Sequence, residues 1–184
     1  MVALTGRYRS IRTRAGGERL IGRMIRAMAL ENGTSAPDFE LTNQFGERVR
    51  LSDYHGRKPV ALVFFPLAFS GTCTGELCEL RDNIGLFAAS GVELLGVSVD
   101  SKHTLRSWAE EKGFEFQLLA DFWPHGEVAR EYGVFLEEKG IATRATFLID
   151  ESGVIRASFI SGPSEARPLA AYRSAVEELR LARV

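Results

Sequence analysis

Two thiols, Cys73 and Cys78, are the side chains of this 184-residue chain best suited to covalent chemistry, and they stand five positions apart. Ahead of Cys73 runs the apolar stretch Pro59-Val60-Ala61-Leu62-Val63-Phe64-Phe65, followed by a loop at 66–72. Behind it, Glu76, Leu77, Leu80 and Ile84 follow a helical pattern. The order strand, loop, cysteine, helix puts Cys73 in the first turn of a helix, where unpartnered N–H groups and the positive end of the dipole favour a thiolate. The thiolate is the nucleophilic form. A free thiol of pKa near 8.5 is about 3% ionised at pH 7, so full ionisation raises the reactive fraction by no more than about 30-fold. Greater reactivity requires donors arranged where charge grows on a departing atom.

Ser70, three residues before Cys73, has two compatible readings. Its hydroxyl can sit beside the sulfur, accepting a hydrogen bond from a reactant or donating one, or it can cap the helix. Pro66 stiffens the loop and keeps water off the sulfur, although a proline after a strand is also an ordinary terminator. Cys78 is either a second redox thiol or a helix residue packed in the core. In an intact helix, positions i and i+5 lie about 8.6 Å apart at Cα. A disulfide tolerates roughly 7 Å, so a Cys73–Cys78 bond requires the first helical turns to unwind. Gly71 and Gly75 weaken those turns. Simple thiol–disulfide exchange is disfavoured, because it expects two residues between the cysteines rather than four.

The elements that would position these groups are legible around them. Residues 36–41, a turn at 43–46, then Val49 and Leu51 read as a short hairpin. The stretch at 59–65 reads as a strand buried on both faces, and 92–99 as a second. A helix follows at 101–113, with Ser101 as N-cap and Gly113 as stop. Another is expected from Pro124 to Tyr132, with Trp123 packed beside its start. Residues 146–150 and 154–160 form an antiparallel pair around a turn at 151–153, and a helix at 168–181 closes the chain. This order predicts an α/β fold with a mixed central sheet covered by helices on both faces. His55 and His103 have no partner pattern and read as surface residues.

Length and composition fit one domain with a full core. Residues 1–27 carry seven arginines against one glutamate, a net +6, so the rest of the chain carries −7. The expected organisation is a basic extension at 1–27 and a domain at 28–184. The extension reads either as dispensable, with a true start at Met24 or Met28, or as a membrane-surface, targeting or partner segment built on Leu20, Ile21, Met24, Ile25 and Met28. The acidic body gives no case for nucleic acid, and no apolar run approaches the roughly 18 residues of a membrane span. Two reactive thiols without a secretory-type leader point to a cytoplasmic location.

The segment Pro66-x-x-x-Ser70-x-x-Cys73 resembles the active-site motif of the peroxiredoxins: proline, three residues, threonine or serine, two residues, cysteine. Ala36-Pro37-Asp38-Phe39 resembles that family's opening segment. The segments at 64–71, 121–126 and 132–135 resemble its alkyl hydroperoxide reductase E branch, and the likeness spans roughly residues 33 to 180. It implies a thioredoxin-like fold and a thiol-dependent peroxidase acting on hydroperoxides, without cofactor or metal, as a monomer or homodimer. It also implies that Arg144 completes the site, since a guanidinium keeps its charge and stabilises both thiolate and developing oxyanion. Glu76 resembles a position that holds the arginine; its alternative is an exposed first-turn carboxylate favoured by the dipole. Arg81 is a weaker candidate.

Attack on a peroxide leaves Cys73 as a sulfenic acid that a thiol must capture. The C-x4-C spacing resembles the Q-type, bacterioferritin-comigratory branch, whereas the E branch typically works with one cysteine. Capture by Cys78 implies a thioredoxin-like reductant. Capture by an external thiol implies a glutaredoxin- or mycoredoxin-like protein or a small thiol. A peroxide sensor or holdase on the same chemistry is the rival to an enzyme.

Overall fold

The computed structural model describes residues 29–181, so the expectations for the basic segment at 1–27 lie outside the described residues. Strands β1 (Glu40–Asn43) and β2 (Arg48–Arg50) form the expected hairpin, with Leu41 opposite Val49. Its turn is built by Asn43, whose Oδ1 accepts the N–H groups of Phe45 and Glu47 at 3.0 Å each, and by Gly46 at φ +90°.

Every residue of β3 (Val60–Phe64) is buried. The strand lies between β4 (Glu93–Ser98), which runs parallel to it, and β8 (Arg144–Ile149), which runs antiparallel. An interior strand covered on both faces has no solvent side, hence the unbroken apolar run. Strand β5 (Gln117–Ala120) joins β4 to β1, and β9 (Ile155–Ser161) pairs with β8 at the edge, giving the order β2-β1-β5-β4-β3-β8-β9. A separate ribbon pairs β6 (Phe135–Leu136) with β7 (Ile141–Ala142).

The helices are α1 (Gly71–Asp82), α2 (Gly85–Ala89), α3 (Lys102–Lys112), α4 (Glu127–Glu131) and α5 (Leu169–Leu181). Alternate residues of the central strands serve two cores. Ala61, Val63 and Leu148 pack with Leu77 of α1, Trp108 of α3 and Val176 of α5, whereas Leu62, Phe64 and Phe147 pack with Val128 and Ala129 of α4 and with Tyr132. The sheet is therefore mixed and covered on both faces, as expected.

The punctuation of α3 is the expected one: Ser101 Oγ accepts the Thr104 N–H at 3.2 Å, and Gly113 closes the helix at φ +68°. Two expectations near residue 124 are corrected. The helix begins at Glu127 rather than Pro124, because Gly126 is left-handed at φ +69° and the free N–H groups of Val128 and Ala129 are bound by the carboxylate of Asp121. Trp123 does not pack at the helix start; the turn ahead of Gly126 carries it outward, 82% exposed. His55 and His103 are exposed, as expected.

Register fixes the site. Phe64, the last residue of β3, faces Ala145 of β8 on one side and Val97 of β4 on the other. Arg144 and the end of β4 therefore flank the point where the chain leaves β3 for α1.

Candidate functional site

Cys73 sits three residues into α1 with its side chain fully buried. The first hydrogen bond entering the helix is Thr74 N–H to Ser70 C=O at 2.9 Å, so the N–H groups of Gly71, Thr72 and Cys73 precede the ladder and point toward the helix start. Arg144 lies on the sheet face that carries Thr146 and Leu148, and its Nη2 donates to Cys73 Sγ at 3.2 Å. The other two nitrogens are also committed, Nη1 to Glu76 Oε2 at 2.6 Å and Nε to the Pro163 carbonyl at 2.9 Å. Three anchors on one planar fork hold the guanidinium against the sulfur. The structure places Arg144 inside β8 rather than ahead of its strand, and it is buried.

Glu76 follows Cys73 on the buried face of α1 and is not the exposed first-turn carboxylate of the alternative reading. It is the hub of a cluster that the sequence did not disclose, because its main partner is Arg167, 91 residues away. Arg167 donates to Glu76 through its backbone N–H at 2.9 Å, Nε at 2.7 Å and Nη2 at 2.9 Å, and through Nη1 to Thr146 Oγ1 at 3.0 Å. Thr146 Oγ1 in turn lies 3.3 Å from the Tyr172 hydroxyl. The available signal was electrostatic. An arginine directly before Pro168 and helix α5 sits at the positive end of a helix, where it is unfavourable unless an anion pairs it.

Burial pushes the Glu76 carboxyl up, but the hydrogen bonds and charge of Arg167, with the charge of Arg144, outweigh it and hold the pKa below its ordinary value. The cluster of two guanidiniums and one carboxylate thus carries +1, and a thiolate at Cys73 brings it to zero. Burial likewise raises the Tyr172 phenol to about 12, so it stays protonated beside the cluster.

Pro66 is buried at the start of the loop. Ser70 occupies the N-cap position with extended backbone, yet its side chain makes no capping bond; the hydroxyl donates to the Leu67 carbonyl at 3.1 Å. The capping reading is thereby corrected: the loop's own carbonyl takes the serine proton. Cys78 lies on the same intact helix, partly buried against the core, and both thiols are free. Arg81 is not part of the cluster. It pairs with Asp82 at 2.8 Å and reaches the Lys112 carbonyl at the end of α3. His125 bonds the Gly140 carbonyl through Nε2 at 2.7 Å, away from Cys73. Among the described residues no group of three or more His, Cys, Asp or Glu side chains is placed to hold a metal ion, and no helix is long and apolar enough to cross a membrane.

Comparison with known proteins follows the same line. Residues 32–158 match the AhpC/TSA family. Alkyl hydroperoxide reductase E of Mycobacterium bovis is 47% identical over 150 residues, covering 82% of this chain and 98% of that protein. The putative peroxiredoxin bcp of Haemophilus influenzae is 38% identical over 136 residues, covering 71% and 86%. Among solved structures, peroxidoxin BcpB from Mycobacterium tuberculosis superposes with a TM-score of 0.71 at 31% identity, covering 84% of this chain and 99% of that one. A reduced 2-Cys peroxiredoxin of Plasmodium vivax gives 0.75 at 27% identity, covering 84% of each.

Proposed function

The chain belongs to the AhpC/TSA family and is a thiol-dependent peroxidase with a thioredoxin-like fold; on that premise we propose that Cys73 is the peroxidatic nucleophile and Arg144 the donor that activates the peroxide. The substrate is a hydroperoxide and the electrons come from a thiol reductant. In the first step the Cys73 thiolate attacks one peroxide oxygen. The S–O bond forms, the O–O bond breaks, and the departing oxygen leaves as water or alcohol after taking a proton. Cys73 becomes a sulfenic acid.

The observation that supports this reading is the 3.2 Å contact between Arg144 Nη2 and Cys73 Sγ within a buried cluster. Negative charge moves from sulfur to the departing oxygen, and a guanidinium fixed at three points stabilises it at both ends without reorganising. The N–H groups at the start of α1 add further donors. Ser70 spends its proton on Leu67, so toward the peroxide it acts as an acceptor, orienting the O–H of the substrate. Pro66 closes the loop over the sulfur. Glu76 and Arg167 act through Arg144 as positioning residues.

For the second half of the cycle, Cys78 captures the sulfenic acid as an intramolecular disulfide after the first turns of α1 unwind, and a thioredoxin-like protein reduces it. The second reading is capture by an external thiol, which the intact helix between the two cysteines favours. Residues 28–184 act as one domain in a reducing, cytoplasmic compartment, and residues 1–27 are a dispensable extension.

Stopped-flow peroxide consumption tests the first step: Cys73→Ser is expected to abolish it, and consumption at the wild-type rate would overturn the assignment. The mass of the protein after one equivalent of peroxide tests the second. Loss of two hydrogens supports the disulfide, and a stable gain of one oxygen supports the external thiol.

A further inference from the structure

The loop between β3 and α1 delivers Cys73, yet little of the sheet ladder holds it. Phe65 N–H still bonds Val97 C=O at 3.0 Å. Beyond that point the loop is pinned by side chains. Ala68 N–H donates to Asp100 Oδ2 at 2.8 Å, and the Ser98 hydroxyl donates to the same oxygen at 2.8 Å. Asp100 stands just past the end of β4, the parallel neighbour of β3, so its carboxylate reaches the loop from the strand beside it. Phe69, the residue after Ala68, is the one non-glycine with positive φ among the described residues, at +61°. A left-handed phenylalanine persists only where its surroundings hold it. Its flanks are the Asp100 bond on one side and the Ser70 hydroxyl on the Leu67 carbonyl on the other. Its ring rests against Trp108, centroids 6.1 Å apart.

We propose that Asp100 is a positioning residue for the peroxidase reaction: its carboxylate, by accepting the Ala68 N–H, holds the strained backbone at Phe69 and so aims Ser70 and the start of α1 at the peroxide beside Cys73. The proposal rests on Cys73 being the peroxidatic residue. The chemistry demanded of Asp100 is acceptance of a hydrogen bond, not charge, because no cation among the described residues bonds it. An asparagine in the same rotamer retains an oxygen for Ala68.

The test compares Asp100→Ala and Asp100→Asn with wild type in three measurements: the second-order rate of peroxide reduction, the rate of Cys73 alkylation by a haloacetamide in a Cys78→Ser background, and the thermal midpoint. Alkylation needs a thiolate and access but none of the donors that the O–O bond requires. Asp100→Ala is expected to slow peroxide reduction roughly 10-fold, the upper end of the factor for losing an ordinary hydrogen bond. Alkylation is expected to hold within about threefold, and Asp100→Asn to restore most of the peroxide rate. Peroxide reduction by Asp100→Ala at the wild-type rate overturns the proposal. So does a parallel fall of both rates with a lowered midpoint, which marks general destabilisation. Failure of the underlying assignment looks different: Cys73→Ser then keeps its peroxidase activity whatever Asp100 does.

Discussion

Gly75→Ala separates the two ways in which oxidised Cys73 can be recovered. Gly75 lies between Cys73 and Cys78 in α1, and it must leave the helical conformation for the two sulfurs to meet. A Cβ built there finds no atom within 4 Å, so the substitution introduces no clash and acts through backbone propensity alone. Glycine costs about 1 kcal/mol relative to alanine in a helix interior, which corresponds to a factor of about five in the opening equilibrium. If resolution requires unwinding, the rate at which sulfenic acid becomes disulfide falls about fivefold in Gly75→Ala. The rate of the first oxidation changes by less than about twofold, because the alanine methyl points into open space. Stopped-flow with a dimedone-type trap measures both steps in one experiment, the trap counting the sulfenic acid that escapes capture. At high peroxide the over-oxidised fraction rises by the same factor. A disulfide that forms in Gly75→Ala as fast as in wild type refutes the unwinding step.

Arg144→Lys keeps the charge but not the fork. One ammonium cannot serve Cys73, Glu76 and Pro163 together, so the second-order rate with peroxide is expected to fall by about 100- to 1000-fold; stopped-flow rates within tenfold of wild type count against the fork argument. Glu76→Gln leaves two buried guanidiniums without their anion and is expected to cost about 3–5 kcal/mol in urea unfolding. The depressed Glu76 pKa gives the sign of its pH dependence: its contribution is fully present above the unfolded-state value and is lost as pH falls through the folded one. Titration of stability in acid checks this, and Glu76→Gln should flatten that limb. Asp121 runs the other way, because burial raises its pKa from 3.8 to about 6 despite the N–H groups of Ala129 and Val128. Between those values the folded chain holds a proton that the unfolded chain has lost, so stability falls as pH rises, by roughly 3 kcal/mol in all. Asp121→Asn should therefore gain on wild type between about pH 4 and about pH 7; no relative gain sinks the burial argument.

What could be read from the sequence was what local chemistry determines. The apolar run at β3, the Asn43–Gly46 turn and the Ser101 and Gly113 punctuation of α3 each carry their own cause, and each is found where expected. Strand β5 gave no such signal. Gln117-Leu118-Leu119-Ala120 is short and does not alternate, and it is a strand because β4 and β1 bind both its edges. The same distinction divides the site. Pro66, Ser70 and Cys73 share one loop and one helix turn and were visible together. Arg144 was visible only through the resemblance, and Arg167 carried no more than its unfavourable place before Pro168 and α5, because the Glu76 carboxylate that explains it arrives from 91 residues away. The late start of α4 and the outward Trp123 have a related origin: the carboxylate of Asp121 and a left-handed Gly126 choose the helix start, and neither has the spacing of a usual cap.

The placement of Glu76 bears on how far α1 can open. Glu76 lies between the two cysteines, and Arg144 and Arg167, which bind it, belong to β8 and to the segment before α5 rather than to α1. Pulling Glu76 away would break a buried ion cluster at about 3–5 kcal/mol. Releasing the turn that contains Gly71 and Gly75 forfeits only weak helix formers, glycine being about 1 kcal/mol less favourable than alanine in a helix interior. If Cys78 captures the sulfenic acid, unwinding therefore stops short of Glu76, and residues 71–75 form the segment that swings. On that route the arginines stay in place through the cycle, and only the sulfur leaves them. On return to the reduced state Cys73 meets a guanidinium that Glu76 and Pro163 have already oriented, so the same carboxylate that limits the opening also preserves the half of the site that does not move.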